Sequence, residues 1–592
     1  MKIRFNRRAV SQAGYALLTA LVFAGISILL LATTLSWTSG SFRVTERNNQ
    51  YNRSVSAAEA GVESVIARMD RDYLNQSFDN NNLTPYRLTV PTTYLPTGWP
   101  LDYQFTDANS VLNQATVICG VPTIATNVDP QLPGLYAIVF PCRVASCAQR
   151  IGTANYNVGA GVQQDFQLVG IPIFQFEAFY SLDMEINPGA QMYITGKVHG
   201  NADMYLAPGV GLEFYDAVET VGKINYTRMA NDPSFGSSRV MPVFDSTHLG
   251  GASSLTLPIG TNNAPTEVVK VLDVPPNGED PLSPLGAERY YNEVDLIITT
   301  TPTGAVDVKA GRWDLNAHVN GDITNTIPTS YSFVTTTNSF WDQREQKTVH
   351  VTEIDVGLFN KWLTNTMPNS GITLNNLKKT KYGTNATPIG LNSIYISDQR
   401  SSSPSVLTAV RVIDGQYLPP NGLTVATARP LYVLGNYNAP DTTPGLADTS
   451  KTFPASLIGD SITILSPNWK DANSTLPFTT GRLAANDTVN AAFLGGIVQT
   501  TNNHYSGGLE NYTRFLEQWS GKTLTYNGSM VVMFPSRYAT GWWIDPGTYY
   551  NPPTRKWAFD KNYLTLAKLP PCTPQVRKLI RGQWTTIAAA SP

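Results

Sequence analysis

Residues 15–37 read YALLTALVFAGISILLLATTLSW, a run of 23 mostly apolar residues without a charge. At about 1.5 Å per residue, a helix of this length crosses a hydrocarbon layer of about 30 Å. Four basic residues precede the run, at positions 2, 4, 7 and 8. The positive-inside rule therefore keeps the N-terminus in the cytoplasm and puts the rest of the chain outside. The sequence predicts a single-pass anchor in the inner (cytoplasmic) membrane with a large extracytoplasmic body.

The polar segment after Arg43 continues the helical pattern. Apolar residues recur at spacings of three and four from Tyr51 to Tyr73, and no proline occurs in the helix before Pro85. The stripe contains Tyr51, Val55, Ala58, Val62, Val65 or Ile66, Met69 and Tyr73. One helix from residue 15 to about residue 73 would be roughly 90 Å long, half of it in lipid. Glycines at 25, 40 and 61 are the positions where it could bend.

This N-terminal pattern resembles a type IV prepilin. The features are a short basic leader ending in Gly14, an aromatic residue at Tyr15, the stretch GYALLTALVFAGISILLL and the later SAAEAGVE at 56–63. Within that superfamily, the match is to the N-terminal region of PilX-type minor pilins and pseudopilins, and it covers about 75 residues. The resemblance implies that prepilin peptidase cuts between Gly14 and Tyr15, and that Tyr15 becomes the N-methylated first residue.

The resemblance also implies how the chain assembles. The apolar half-helix would pack against like helices of other pilin or pseudopilin subunits. Its predicted contact residues are Tyr15, Leu17, Leu18, Leu21, Val22, Ile26, Leu29 and Leu30. The chain departs from the pattern at Thr19, where major pilins carry the glutamate that pairs with a neighbour's amino group. A subunit without this charge suits the end of a filament, because an unpaired buried charge is costly.

Two other interpretations of the N-terminus stay open. The run is longer than the 7–15 apolar residues of an ordinary secretory signal. Small residues near Gly40 nevertheless leave room for cleavage there. An uncleaved signal anchor is the second alternative, in which the chain is an exported adhesin or a polysaccharide-active enzyme held at the membrane.

Composition excludes several classes of partner. The 592 residues carry a net charge of −2, and only 15% are charged. Outside the leader, basic residues are scattered among acids, so the basic patch expected of a nucleic-acid-binding protein is missing. The four cysteines are too widely spaced for a zinc site, and nothing calls for a cofactor. In an oxidising compartment they allow two disulfides, with Cys572 tied back to the segment near Cys142 and Cys147; unpaired buried thiols are the alternative. The candidates are Cys119, Cys142, Cys147 and Cys572.

The body carries an internal repeat. MEINPGAQMYI from Met184 returns as MYLAPGVGLEF from Met204, an offset of 20 residues, and Val198 answers Val218 in the same step. A period near 20 with alternating apolar residues and glycine-containing corners is typical of a coil of a parallel β-helix. A sandwich with Asn-Gly and Gly-Asp hairpins is the alternative. The fold class is therefore mainly β, a β-helix-like or irregular β-rich body behind one long N-terminal helix.

We predict five regions and two helices that cover the sheets. The helices are Ile354–Leu363 and the stripe Leu509, Tyr512, Leu516 and Trp519. The regions are a basic leader (1–14), a transmembrane and amphipathic helix (15–74), a β-rich linking region (75–180), a β-helix-like repeat region with insertions (181–470) and a C-terminal β region with a covering helix (471–592).

Enzyme motifs are absent from the sequence. No HExxH, GxSxG, Walker or dinucleotide fingerprint occurs among its residues. His504 beside Ser506 suggests a hydrolase only weakly, because no third partner can be placed. A lyase or glycosidase would need clustered carboxylates. Its candidates are Asp314, Asp322, Glu353 and Asp355. The sequence therefore predicts a non-enzymatic pilin-like component of a type IV pilus or type II secretion filament.

Overall fold

The computed structural model describes residues 13–91, 103–126, 134–151, 158–236, 239–311, 332–366, 391–441 and 448–588. Its longest element is α1, a single helix over Ala13–Leu74 that is not interrupted at any of its three later glycines. The N-terminal half of α1 is exposed, whereas Ala58, Val62, Met69 and Tyr73 are buried. The predicted continuous helix is confirmed, and so is its stripe over these positions.

The C-terminal half of α1 packs on a small antiparallel sheet. Around it lie α2 Thr84–Arg87 and the strands β1 Tyr103–Thr106, β2 Thr116–Cys119, β3 Thr123–Thr126, β4 Tyr136–Arg150 and β5 Gly159–Pro172. The long strand β4 pairs with β1, β2 and β3 along one side and with β5 along the other. Apolar residues of α1, β4 and β5 form one core cluster. We call α1 from residue 51 onward, together with this sheet, the helix module.

One disulfide is found among the described cysteines, and it joins Cys119 to Cys142. The two residues face each other in the register of β2 and β4, which brings their side chains together. The Cys142 sulfur is already bonded to Cys119, so it is not the partner of Cys572. Cys147 is buried in β4, and Cys572 is half-buried in the turn before the last strand.

Beyond the helix module the chain forms stacked coils of three short strands. They are β6 Ala178–Tyr180, β7 Met184–Ile186, β8 Met192–Ile194, β9 Val198–Gly200, β10 Met204–Leu206, β11 Leu212–Phe214, β12 Val218–Thr220, β13 Ile224–Asn225, β14 Val243–Phe244 and β15 His248–Gly250. Equivalent strands pair in parallel, with Met204 opposite Met184 and Val218 opposite Val198. The 20-residue offset therefore gives the observed register of this segment.

After β15 the chain crosses to the far end of the body and builds a second stack. Its strands are β16 Leu296–Thr300, β17 Val306–Ala310, β18 Val334–Thr335, β19 Ser339–Asp342, β20 Lys347–Asp355, β21 Ser393–Asp398, β22 Val406–Ile413, β23 Leu423–Thr427, β24 Leu431–Leu434, β25 Ala455–Ile458, β26 Ile462–Leu465, β27 Asp487–Ile497, β28 Arg514–Phe515, β29 Thr523–Pro535 and β30 Thr554–Phe559. Strands β16, β21, β23, β25, β27 and β29 pair in parallel in that order, and β20, β22, β24, β26 and β28 do the same.

The two stacks join end to end. Strand β29, at the end of the second stack, pairs in parallel with β6, at the start of the first, with Val531 opposite Phe179. One 12-stranded sheet therefore runs through both stacks. The chain enters this body in the middle, builds outward to β15, and then returns from the opposite end to close on its own starting strand.

The last strand returns to the helix module. Strand β31, Gln575–Ile587, pairs antiparallel with β5. The stacked body over residues 173–574 is therefore an insertion between two neighbouring strands of one small sheet. Strands on both sides of residue 471 share a sheet, since β25 pairs with β27.

Short helices line the body. They are α3 Pro265–Val268, α4 Pro284–Glu288, α5 Tyr290–Glu293, α6 Val356–Lys361 and α7 Phe478–Gly481, the 3-10 turns Ile173–Gln175, Val269–Leu272, Asp471–Asn473, Leu509–Asn511, Lys561–Leu564 and Leu566–Lys568, and the π turn Trp362–Thr366. The helix predicted over Ile354–Leu363 begins at Val356, after Asp355 caps its N-terminus. The covering helix predicted at residues 509–519 is wrong: this segment is a 3-10 turn followed by β28. Its apolar stripe is instead the inward side of a coil, where Leu509, Leu516 and Trp519 are fully buried.

Candidate functional site

The exposed half of α1 is the most unusual surface of the described chain. It is the one described helix long and apolar enough to cross a membrane, and its most apolar window is not covered by any other part of the described chain. Leu17 and Leu29 are 69% and 67% exposed, values that a soluble core helix would not show. The structure places the predicted contact residues together on this half. They are Tyr15, Leu17, Leu18, Leu21, Val22, Ile26, Leu29 and Leu30.

The hydroxyl groups in this half are satisfied within the helix. Thr19 Oγ1 donates to the Tyr15 carbonyl at 2.7 Å, and Thr33 Oγ1 donates to the Leu29 carbonyl at 2.9 Å. Thr34 and Thr38 make the same bond one turn back. Polar groups in hydrocarbon must find partners inside their own segment, because no water is available there. These threonines are therefore compatible with lipid or with an apolar helix bundle.

Gly14 and Tyr15 lie in the first turn of α1, which begins at Ala13. The basic leader residues fall outside the described residues. The predicted cleavage bond is thus at the start of the helix, ahead of the apolar surface. The structure brings this bond and the contact residues onto one continuous element.

The other half of α1 is fixed firmly to its sheet. Ser54 Oγ donates to the Val158 carbonyl at 2.6 Å, and Ser64 Oγ donates to the Thr89 carbonyl at 2.9 Å. Gly61 faces β4 so closely that a Cβ atom there would lie 2.6 Å from Ser146 Oγ. These contacts hold the second half of α1 against β4 and against the segments next to the sheet.

Sequence reasoning missed what holds the end of α1 to the body. Gln76 Nε2 donates to the Ala287 carbonyl at 2.8 Å and to Glu288 at 2.9 Å. Glu288 also accepts a hydrogen bond from Arg577 of β31. Burial raises the pKa of Glu288, and although burial alone would lower the pKa of Arg577, the Glu288 carboxylate raises it. No local signal links positions 76, 288 and 577, so only the fold reveals this junction.

The close approach at Gly61 gives a testable contrast with Gly40. Gly61→Ala is expected to lower the unfolding free energy by about 1–3 kcal/mol, because the added methyl forces Ser146 or the helix to move. Gly40→Ala meets no atom within 4 Å and should raise stability by about 0.5–1 kcal/mol through helix propensity. Urea unfolding in detergent, followed by circular dichroism, measures both. Equal effects of the two substitutions would contradict the tight packing at Gly61.

The residues considered for catalysis have structural partners. Ser506 Oγ donates to Glu185 at 2.7 Å, while the His504 ring stacks on Trp542 at 4.4 Å. Glu353 forms an ion pair with Arg411 at 2.6 Å, and Asp355 accepts the Leu358 amide of α6 at 2.8 Å. The other two carboxylate candidates, at positions 314 and 322, lie outside the described residues. The part of the chain that the structure describes has no group of three His, Cys, Asp or Glu side chains placed to hold a metal ion.

Comparison with known proteins adds one likeness. No protein-family model and no curated protein sequence matches the chain. Among solved structures, the competence-associated pilin ComZ from Thermus thermophilus is similar over 90% of this chain and 97% of its own. The two are 9% identical, with a TM-score of 0.27.

Proposed function

We propose that this protein is a non-enzymatic minor pilin or pseudopilin, a subunit that joins a type IV pilus or type II secretion filament through α1. One observation carries the proposal: a single helix has an uncovered apolar half and a second half mounted on a sheet. An apolar helix surface without a partner needs lipid or other helices around it. A filament core of like helices satisfies that need and leaves the body outside.

The proposal includes a processing step. The chain begins as an inner-membrane protein with its leader in the cytoplasm, and prepilin peptidase cuts between Gly14 and Tyr15. The new amino group of Tyr15 is then methylated. Cleavage at this bond removes the basic leader and leaves the apolar half of α1 intact for packing against other subunits.

Thr19 supports a place at the end of the filament. Its hydroxyl is bonded to the Tyr15 carbonyl, so it brings no unpaired charge into the helix bundle. It also lacks the carboxylate that a repeating subunit would use to pair with its neighbour's amino group. A first or last subunit needs only one helical neighbour along the axis, which suits a neutral residue at this position.

A pair of glycine variants tests the proposal. We produce the full chain in membranes with prepilin peptidase and measure its mass. The wild type is expected to lose residues 1–14, whereas Gly14→Val stays at full length because the bulky residue blocks the bond. Gly25→Val serves as the matched control, since no atom lies within 4 Å of a Cβ atom there, and it should be cut like the wild type. Cleavage of Gly14→Val, or no cleavage of the wild type, would contradict the proposal.

A further inference from the structure

Among the residues that the structure describes, the first stack of coils ends without a cap. Strands β13, β14 and β15 belong to its last coil, and each is the outer edge of its own sheet. All three therefore lie at one end of the body, with no described strand beyond them. Exposed strand edges attract other strands, and natural proteins usually cover or charge them. This end, which we call the open coil, consists of the described residues 224–236 and 239–250.

The core of the open coil is only partly covered. Phe214 in the preceding coil is fully buried, but Phe244, one coil further, is only half-buried. His248 is exposed, and its ring stacks on that of Phe244 with 4.2 Å between the ring centres. The equivalent residue of the previous coil, Val218, is buried. Beside His248 lies a concavity of about 680 Å³ that Ile224 and Tyr226 also line. Stacked repeats normally end in a capping unit with a polar outer face, and the open coil lacks one.

Exposed apolar side chains concentrate around the same end. They include Val210, Phe235, Val240, Met241, Val243 and Leu249, of which Val243 is 53% and Leu249 55% exposed. These residues add exposed apolar surface to this part of the body, as interaction surfaces commonly do. The opposite end of the body differs, because β17 covers β16 there and β18 and β19 cover β20, all in antiparallel pairing.

We propose that the open coil stacks on the open coil of a second copy of this chain, about a twofold axis. The three edges are only two or three residues long and surround one core, so an extended peptide could pair with one of them at most. Another coil end offers three edges and an apolar centre together. Of the two ends of the described body, the open coil is the one whose strands no antiparallel strand covers. Its residues also match the 20–30 that one side of a standard interface uses.

The twofold axis sets the pairing. It reverses strand direction, so facing strands pair antiparallel. Strand β13 of one copy then faces β14 of the other copy, and the two strands match because each has two residues. Strand β15 of one copy faces β15 of the other. Ile224 then lies opposite Phe244, which keeps both inward, and Leu249 lies opposite Leu249. The same register sets Lys223 against Asp245, two exposed and oppositely charged residues that flank these strands. Opposite charges in this position stabilise a cross-strand pair.

Nanodiscs with one chain per disc test this pairing. Each disc surrounds its own α1 with lipid, so two discs can pair through their bodies but not through their helices. Light scattering is expected to show wild-type discs pairing as concentration rises. Lys223→Glu and Asp245→Lys should each weaken pairing by about tenfold, since like charges then face each other. The double variant with both substitutions should restore it. Single discs at every concentration, or a double variant as weak as the single ones, would overturn the proposal.

A cysteine variant tests the predicted contact at the axis. Leu249→Cys should form a disulfide-linked pair of chains under mild oxidation, because cross-strand Cβ atoms lie about 4.5–5.5 Å apart. Leu112→Cys, an exposed leucine on the helix module, is the matched control and should link much less. Equal cross-linking of the two variants would overturn the proposed register. Retained β-sheet circular dichroism in each variant verifies that the body is folded.

Discussion

Truncation before Gln575 is expected to unfold the helix module. This change removes β31, which faces β5 in eleven aligned residue pairs. Strand β5 then becomes a bare edge, and the buried carboxylate of Glu288 loses Arg577. Breaking a buried ion pair alone costs about 3–5 kcal/mol. Limited proteolysis should cut the truncated chain between α1 and β5, while the body over residues 173–574 stays protected for longer.

Two controls make the truncation result specific. Truncation after Ala588 leaves β31 whole and should not change proteolysis. Arg577→Met is expected to destabilise the full chain by about 3–5 kcal/mol, because Glu288 stays buried without its partner. Arg581→Met removes an exposed pair with Glu63 and should cost less than about 1 kcal/mol. Unchanged protection of the module after loss of β31 would show that the last strand does not hold it together.

Stability is expected to fall as pH rises from about 5 to 8. Burial raises the pKa of Glu177, Glu185, Glu510 and Glu517 to about 7, and that of Asp487 to about 8. In the unfolded chain these acids lose their protons near pH 4. Between the two values the folded state binds more protons, so the unfolding free energy decreases with pH. Each glutamate contributes of the order of 3 kcal/mol, fully present below pH 4 and lost as pH rises through 7.

Glu177→Gln isolates one of these groups. Glu177 Oε2 accepts the Thr195 amide at 2.6 Å and its hydroxyl at 3.0 Å, and an uncharged amide oxygen can accept both. The unfolding free energy of the variant should therefore fall less between pH 5 and 8 than that of the wild type. Urea unfolding at several pH values measures this difference. Asp165→Asn is the control, because Arg143 lowers the pKa of Asp165 and that acid titrates below this range. A variant slope equal to that of the wild type would contradict the role of Glu177.

The sequence predicts those elements whose pattern lies within a short stretch of neighbouring residues. The helix α1 follows from one apolar run and one 3.6-residue stripe, and both are local patterns. The register of the first coils follows from a repeat that places like residues opposite one another. The pairing of β29 with β6 and of β31 with β5 joins residues hundreds of positions apart. No periodicity specifies such partners, so the closure of the body and the return to the module appear only in the structure.

The wrong helix at residues 509–519 has a physical cause. Its apolar residues recur every three or four positions, which a helix and an irregular coil can both satisfy. Gly507 and Gly508 have positive φ values and turn the chain before β28, so the apolar side chains point inward without a helix. Cysteine spacing left several pairings open, and the register of β2 and β4 places Cys119 opposite Cys142.

The central claim is that α1 is the assembly helix of a processed filament subunit. The most direct test is the mass of the N-terminal peptide of the protein isolated from its native membrane. We predict a chain that begins at Tyr15 and carries one methyl group on its amino nitrogen. An intact Met1 would contradict processing, and a start near Gly40 would mean that the apolar half of α1 is discarded as a signal.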